Sequence, residues 1–181
     1  LMADLVINHV SSEHEWFQQF IAGEKPGVDY FHLIDETMDL SGVVRPRASP
    51  LARPTETANG FKNVWCTFSH DQIDLDFRNP DVLFELMDVL LFYVHQGARV
   101  IRLDAVAYLW KEIGTSCIHL PQTHAIVRLM RLLCDYAAEP VILLPEDLEI
   151  TADSVSEIRR RGIFDVPVFS SDLAIRLQKG R

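Results

Sequence analysis

Positive charge and cysteine are the scarce features of this chain. Of its 181 residues, 17 are Lys or Arg against 26 Asp or Glu, a formal net charge of −9. A chain so poor in basic residues offers no long footprint for a phosphate backbone, so a nucleic-acid partner is not expected. A small anion would need a local cluster of donors. The 3 cysteines, Cys66, Cys117 and Cys134, are scattered, with no CxxC pair and no metal-ligand spacing. That excludes a disulfide framework and a cysteine metal site, and it fits a reducing, cytoplasmic setting. No apolar run approaches the roughly 18 residues of a membrane span, so no membrane partner is expected. Val89–Val94, for example, is closed off by Asp88 and His95. No internal repeat or low-complexity tract is found, and nothing at the start of the given sequence reads as a signal peptide. The chain opens at Leu1-Met2-Ala3, inside what reads as a strand, and stops at Gly180-Arg181, after an apparent helix. Both ends therefore read as cuts within a longer protein.

Hydrophobic residues make up 48% of the chain, enough for a substantial core. Apolar runs at residues 1–7, 100–105, 141–144 and 163–169 read as buried strands. Helical spacing appears over 14–22, 80–96, 121–134, 153–161 and 171–178. Asn79-Pro80 supplies an N-cap followed by a favoured first-turn proline, and Gly23, Gly97 and Gly162 supply stops. Strands alternating with helices predict an α/β fold with a parallel sheet. Residues 24–79 break the pattern: Pro26, Pro46, Pro50 and Pro54 punctuate them. Only 30–34 and 64–68 read as short strands there. So long an interruption predicts an inserted subdomain or functional loop.

Asn8-His9, Asp104 and Glu146 all fall near the carboxyl ends of predicted strands, where ligands gather in α/β barrels and in doubly wound sheets. Alternation puts Arg102 and Asp104 on one face of their strand. A charged pair within an apolar parallel strand is costly unless satisfied. It is either a structural ion pair or a carboxylate that Arg102 keeps ionised and oriented as a nucleophile. Glu146 closes the next strand. Neighbouring strand ends can bring two carboxyls within the ~5–5.5 Å of a retaining glycosidase pair, one attacking the anomeric carbon and one donating to the leaving oxygen. Alternatively, Glu146, Asp147 and Glu149 form a solvated acidic loop. Asp4 and Asn8 are expected on one face of the first strand, with His9 at its exit as a structural residue or a donor to a sugar hydroxyl. Asn8 is also a conceivable calcium ligand, but no run of oxygen ligands surrounds it. No metal and no cofactor is expected.

Together these clusters resemble the conserved regions of the α-amylase superfamily. Asp4-Leu5-Val6-Ile7-Asn8-His9 is similar to the first region, Arg102-Leu103-Asp104-Ala105 to the second, and Glu146 stands where the third has its acid/base. Gln72-Ile73-Asp74-Leu75-Asp76 resembles the short motif near the end of the inserted domain. Val64-Trp65-Cys66-Thr67-Phe68-Ser69 and Tyr108 through Cys117 resemble the sucrose phosphorylases and glucosylglycerate phosphorylases. The resemblance implies a partial (β/α)8 barrel, about strands three to six, with 24–79 as its insertion. It implies a glucosyl ester on Asp104, acid/base work by Glu146, and a donor-glucose pocket lined by His9, Phe68, Gln72 and Arg102. Phe68 would pack on the sugar ring and Gln72 would bond a hydroxyl; the plain alternative is loop core and surface. The reaction implied is phosphorolysis of sucrose or a related α-glucoside, so the partners are a sugar and inorganic phosphate. A hydrolase or transglycosidase of the same superfamily, or a non-catalytic carbohydrate-binding or partner-binding barrel, are the alternatives. One departure stands out: the branch usually continues after the acid/base with an Asn-Val-Pro-His type segment, whereas this chain reads Pro145-Glu146-Asp147-Leu148-Glu149. Glu149 is thereby the second candidate for the acid/base.

Overall fold

Leu5, Ile101, Leu103 and Leu143 recur at alternate strand positions, and each is buried at 2% exposure or less. That alternation organises a parallel sheet. A computed structural model describes residues 1–137 and 140–145 of the chain. In chain order its elements are β1 (Met2–Val6), β2 (His9–Ser11), α1 (Glu15–Ala22), β3 (Leu33–Ile34), β4 (Ala52–Thr57), β5 (Gly60–Trp65), β6 (Gln72–Asp74), α2 (Pro80–His95), β7 (Val100–Asp104), α3 (Pro121–Tyr136) and β8 (Ile142–Pro145). Strands β1, β7 and β8 lie side by side in that order, all parallel, with Asp4 opposite Arg102, Val6 opposite Asp104 and Leu103 opposite Pro145. Pro145 sits at the last position of β8, where a missing N–H is tolerated.

The four buried strand residues pack against Leu86, Leu90 and Val94 of α2 and Val127 and Met130 of α3. Burying each such side chain contributes about 1.5–3 kcal/mol. The opposite face of the sheet carries Asp4, Arg102 and Asp104, so one strand serves core and site by alternation. The helix signals act as expected. The Asn79 side chain accepts from the Asp81 N–H at 3.0 Å, and Gly23 ends α1 in the left-handed region at φ 72°. The His14 ring caps α1 by accepting from the Trp16 N–H at 3.1 Å.

Between α1 and α2 the chain is more regular than the sequence suggests. β4 and β5 form an antiparallel hairpin across Ala58-Asn59, and β3 joins the far side of β5. Pro54 is tolerated because β4 is an edge strand. The strands expected at 30–34 and 64–68 are therefore displaced: β3 keeps only Leu33–Ile34, and β5 runs Gly60–Trp65. Ile34, Leu51, Trp65 and Cys117 make a small separate core beside this sheet. Cys66, Cys117 and Cys134 are free and buried, and burial pushes the Cys66 thiol up to about 12. Among the described residues, no helix is long and apolar enough to cross a membrane. The elements expected at 153–161, 163–169 and 171–178 lie outside the described residues.

His32 makes the stability of this region sensitive to pH. It is 1% exposed, packs tilted against Trp65 at 5.0 Å between ring centroids, and donates from Nδ1 to the Leu33 carbonyl at 3.3 Å. Its Nε2 is buried with no hydrogen-bond partner among the described residues. Burial lowers its pKa to about 4; the Lys111 ammonium acts in the same direction and Asp76 opposes it. In the unfolded chain the ring takes up a proton near its ordinary 6.5, so the unfolded state binds more protons between pH 6.5 and 4. Stability is thus full above about pH 6.5, falls as the pH drops towards 4, and levels off below that, a loss of about 3 kcal/mol. His32→Phe keeps an aromatic ring against Trp65 and removes the proton site. Urea titrations of both proteins at pH 7 and pH 4 should therefore show the variant gaining on the wild type by about that amount at acid pH. An unchanged difference at the two pH values would refute this account.

Candidate active site

Asp104 is the last residue of β7, and the backbone turns sharply behind it. Ala105 takes the left-handed conformation at φ 53° and ψ 24°, followed by one 3-10 turn, Val106–Tyr108. Left-handed backbone costs a residue with a Cβ about 1–2 kcal/mol. Cys117 and His119 also take positive φ, 52° and 55°, so positive φ at non-glycine positions is confined, among the described residues, to the segment after Asp104. Such concentration is a mark of functional segments. Arg102 Nη1 donates to Asp4 Oδ1 at 2.8 Å and lies 3.3 Å from Asp104 Oδ1. The shared face expected for Arg102 and Asp104 is therefore real, and the guanidinium sits between two carboxylates. Asp104 is the more sheltered of these, with its side chain 27% exposed against 62% for Asp4.

A second group assembles at the start of β2, which pairs antiparallel with β6 so that His9 faces Asp74 and Ser11 faces Gln72. The Gln72 amide nitrogen lies 2.9 Å from His9 Nε2. The Phe68 ring packs against His9 and against Tyr108, each at 5.3 Å between centroids. Residues distant in sequence, His9, Phe68 and Gln72, thus meet on one surface. Tyr108 ties that surface to the turn following Asp104.

Asn8 departs from expectation. β1 ends at Val6, so strand alternation does not carry Asn8 onto the face of Asp4. Asn8 is instead fully buried, at 0% exposure, beneath His9. There it joins an ion pair: Lys111 Nζ is 2.7 Å from Asp74 Oδ2, with side-chain exposures of 1% and 0%. Asp74 also accepts from Asn8 Nδ2 at 2.9 Å, from the Thr67 hydroxyl at 2.6 Å and from the Thr67 N–H at 2.9 Å. Asn8 Oδ1 takes a further bond from Lys111 Nζ at 2.9 Å. The oxygen that could have faced a calcium ion faces an ammonium. Among the described residues, no group of three or more His, Cys, Asp or Glu is placed to hold a metal ion.

Burial lowers the pKa of His9 below its ordinary value; Asp74 opposes this and Lys111 adds to it. With its pKa below the ordinary 6.5, the ring is mostly neutral at pH 7, one nitrogen donating and one accepting. Asp74, Thr67, Tyr108 and Lys111 are the residues that reading for catalytic types overlooks. All four fall inside stretches that carry the family resemblance, 64–69, 72–76 and 108–117, but nothing in those stretches assigns them a role. Glu146, Asp147 and Glu149 lie outside the described residues.

Residues 1–160 match the alpha amylase catalytic domain model. Over 146 residues the chain is 53% identical to a glucosylglycerate phosphorylase of Spirochaeta thermophila, covering 81% of this chain and 25% of that protein. It is 33% identical over 137 residues to a sucrose phosphorylase of Agrobacterium vitis, covering 70% of this chain and 28% of that one. The crystal structure of sucrose 6F-phosphate phosphorylase from Thermoanaerobacter thermosaccharolyticum superposes with a TM-score of 0.70 at 28% identity, covering 80% of this chain and 32% of that one. The chain spans about a quarter of the length of the curated relatives it matches. Parallel neighbours β1, β7 and β8, with helices on one face and polar residues towards their carboxyl ends, are successive units of the same kind of barrel. The chain belongs to the alpha-amylase catalytic-domain family, and its α/β fold is part of that family's (β/α)8 barrel.

Proposed function

We propose that the protein is an α-glucoside phosphorylase that acts by double displacement, with glucosylglycerate ahead of sucrose as donor. The observation that carries the mechanism is Asp104, held at the carboxyl end of β7 with the Arg102 guanidinium 3.3 Å away. The ranking of donors rests on 53% identity to a glucosylglycerate phosphorylase against 33% to a sucrose phosphorylase. In the first step an Asp104 oxygen bonds to the anomeric carbon, the glycosidic C–O bond breaks, and Glu146 gives its proton to the departing oxygen. In the second, a phosphate oxygen displaces Asp104 and Glu146 takes that oxygen's proton. Two inversions restore the α configuration in glucose 1-phosphate. His9 and Gln72 bond the hydroxyls of the donor glucose and Phe68 packs on its ring. Asp4 completes the clamp on Arg102, Asn8 supports His9 from below, and residues 24–79 form the inserted subdomain. Three free, buried cysteines suit a reducing compartment, and we place the enzyme in the cytoplasm.

The test is to give the complete protein glucosylglycerate or sucrose, with and without inorganic phosphate, and to follow glucose 1-phosphate by phosphorus NMR. The expected result is phosphate-dependent release of α-glucose 1-phosphate and glycerate, with sucrose turned over more slowly. Free glucose released at one rate regardless of phosphate would make the protein a hydrolase. Binding of sugar without turnover would make it a non-catalytic barrel.

A further inference from the structure

The Lys111–Asp74 pair lies fully buried beside His9, and Asn8 hydrogen-bonds the pair and the His9 ring alike. An ammonium can only donate, and the carboxylate it pairs with accepts all its bonds. Asn8 lies between the two and must satisfy both. Its oxygen is bound to turn to Lys111, at 2.9 Å, and its amide nitrogen to Asp74, at 2.9 Å. Turning the amide over would set a donor against the ammonium and an acceptor against the carboxylate, so its orientation is fixed. The second hydrogen of the same Asn8 nitrogen points towards His9 Nδ1, 3.3 Å away. His9 Nδ1 must then accept, and in a neutral ring the one proton is left on Nε2.

We propose that Lys111 and Asp74 are positioning residues that lock Asn8 in one orientation and thereby hold His9 as its Nε2–H tautomer. The ring then presents a donor, not an acceptor, to whatever occupies the surface it shares with Phe68 and Gln72. A consequence falls on Gln72, whose amide lies 2.9 Å from His9 Nε2. As placed, the Gln72 amide nitrogen faces His9 Nε2 and the Ser69 hydroxyl donates to Gln72 Oε1 at 2.9 Å. Two N–H groups cannot bond each other, so the Nε2–H tautomer requires the carboxamide to be turned over, its oxygen accepting from His9 and its nitrogen donating to the Ser69 hydroxyl. In the sugar-binding reading, on which this consequence for ligand recognition rests, a hydroxyl oxygen of the donor glucose replaces the Gln72 oxygen as the acceptor from His9 Nε2–H, and Gln72 is freed to bond a hydroxyl itself.

The experiment is nitrogen-15 NMR of the complete protein labelled at histidine, with the His9 signals identified by their loss in His9→Gln. The expected result at neutral pH is a protonated Nε2 and an unprotonated Nδ1. A proton on Nδ1 in the wild type overturns the proposal, and this arm needs no variant that must fold. The second arm is Lys111→Met with Asp74→Asn, which removes both charges. Asn8 is then free to turn its oxygen to His9, and the ring should shift towards the Nδ1–H form. The KM for the glucosyl donor should rise by about tenfold, the worth of one hydrogen bond, with kcat changed less. An unshifted tautomer in a folded double variant overturns the positioning role. Failure of the sugar reading looks different: the wild-type ring keeps its Nε2 proton but does not respond to added glucoside.

Discussion

Asp104→Asn in the complete protein is expected to lower turnover by roughly 10⁴-fold or more, the scale seen when a covalent nucleophile is removed. The substitution is nearly isosteric, so the turn through Ala105 and the 3-10 segment behind it keep their packing. Arg102 keeps Asp4 as a partner at 2.8 Å, so it is not stranded. Partly exposed ion pairs contribute about 0–1 kcal/mol, and the change in stability should stay in that range. Activity and stability therefore separate the two readings of the pair. A nucleophile gives a large loss of turnover at nearly constant melting temperature. A structural ion pair gives a small change in both, and turnover within about tenfold of the wild type would remove Asp104 from the chemistry. Following phosphate-dependent product release and thermal unfolding on the same preparation decides between them.

Legibility of this chain followed the range of the interactions. Signals that act within a few residues read correctly: Asn79-Pro80 opens α2, Pro121 opens α3, and Gly23 closes α1. The face shared by Arg102 and Asp104 also read correctly, because strand periodicity is local. The hairpin of β4 and β5 did not. Its Asn59-Gly60 pair is a turn signal, but Pro54 argues against a strand until β4 is known to lie at an edge. Asn8 was misplaced because alternation was carried two residues past the end of β1. The network under His9 was invisible for a different reason. It joins Asn8, Thr67, Asp74 and Lys111, and Asn8 and Lys111 alone are 103 positions apart. No periodicity reaches that far. Only the tertiary fold reveals that the lysine ending an apolar run meets the aspartate of a three-residue strand.

Lys111→Met is expected to be the most destabilising single change in the described site. Methionine fills much of the lysine stem's volume, so the packing loss is small. What remains is a buried carboxylate without its cation. Asp74 keeps the Thr67 and Asn8 donors, but those are dipoles and do not neutralise a charge held at 0% exposure. Breaking a buried pair from one side costs about 3–5 kcal/mol, a large share of the ~5–15 kcal/mol that holds an ordinary domain together. Asp74→Asn alone should also be costly, since it strands the ammonium. The double variant should recover most of the loss, because no charge is left buried without its partner. Urea unfolding of the wild type, both single variants and the double variant closes the cycle, with a coupling of several kcal/mol expected between the two positions. A coupling near zero would mean that water or another group reaches Asp74, and the carboxylate would then not be tied to Lys111 at all. With strong coupling, the stability of the barrel wall and the orientation of His9 depend on the same two charges.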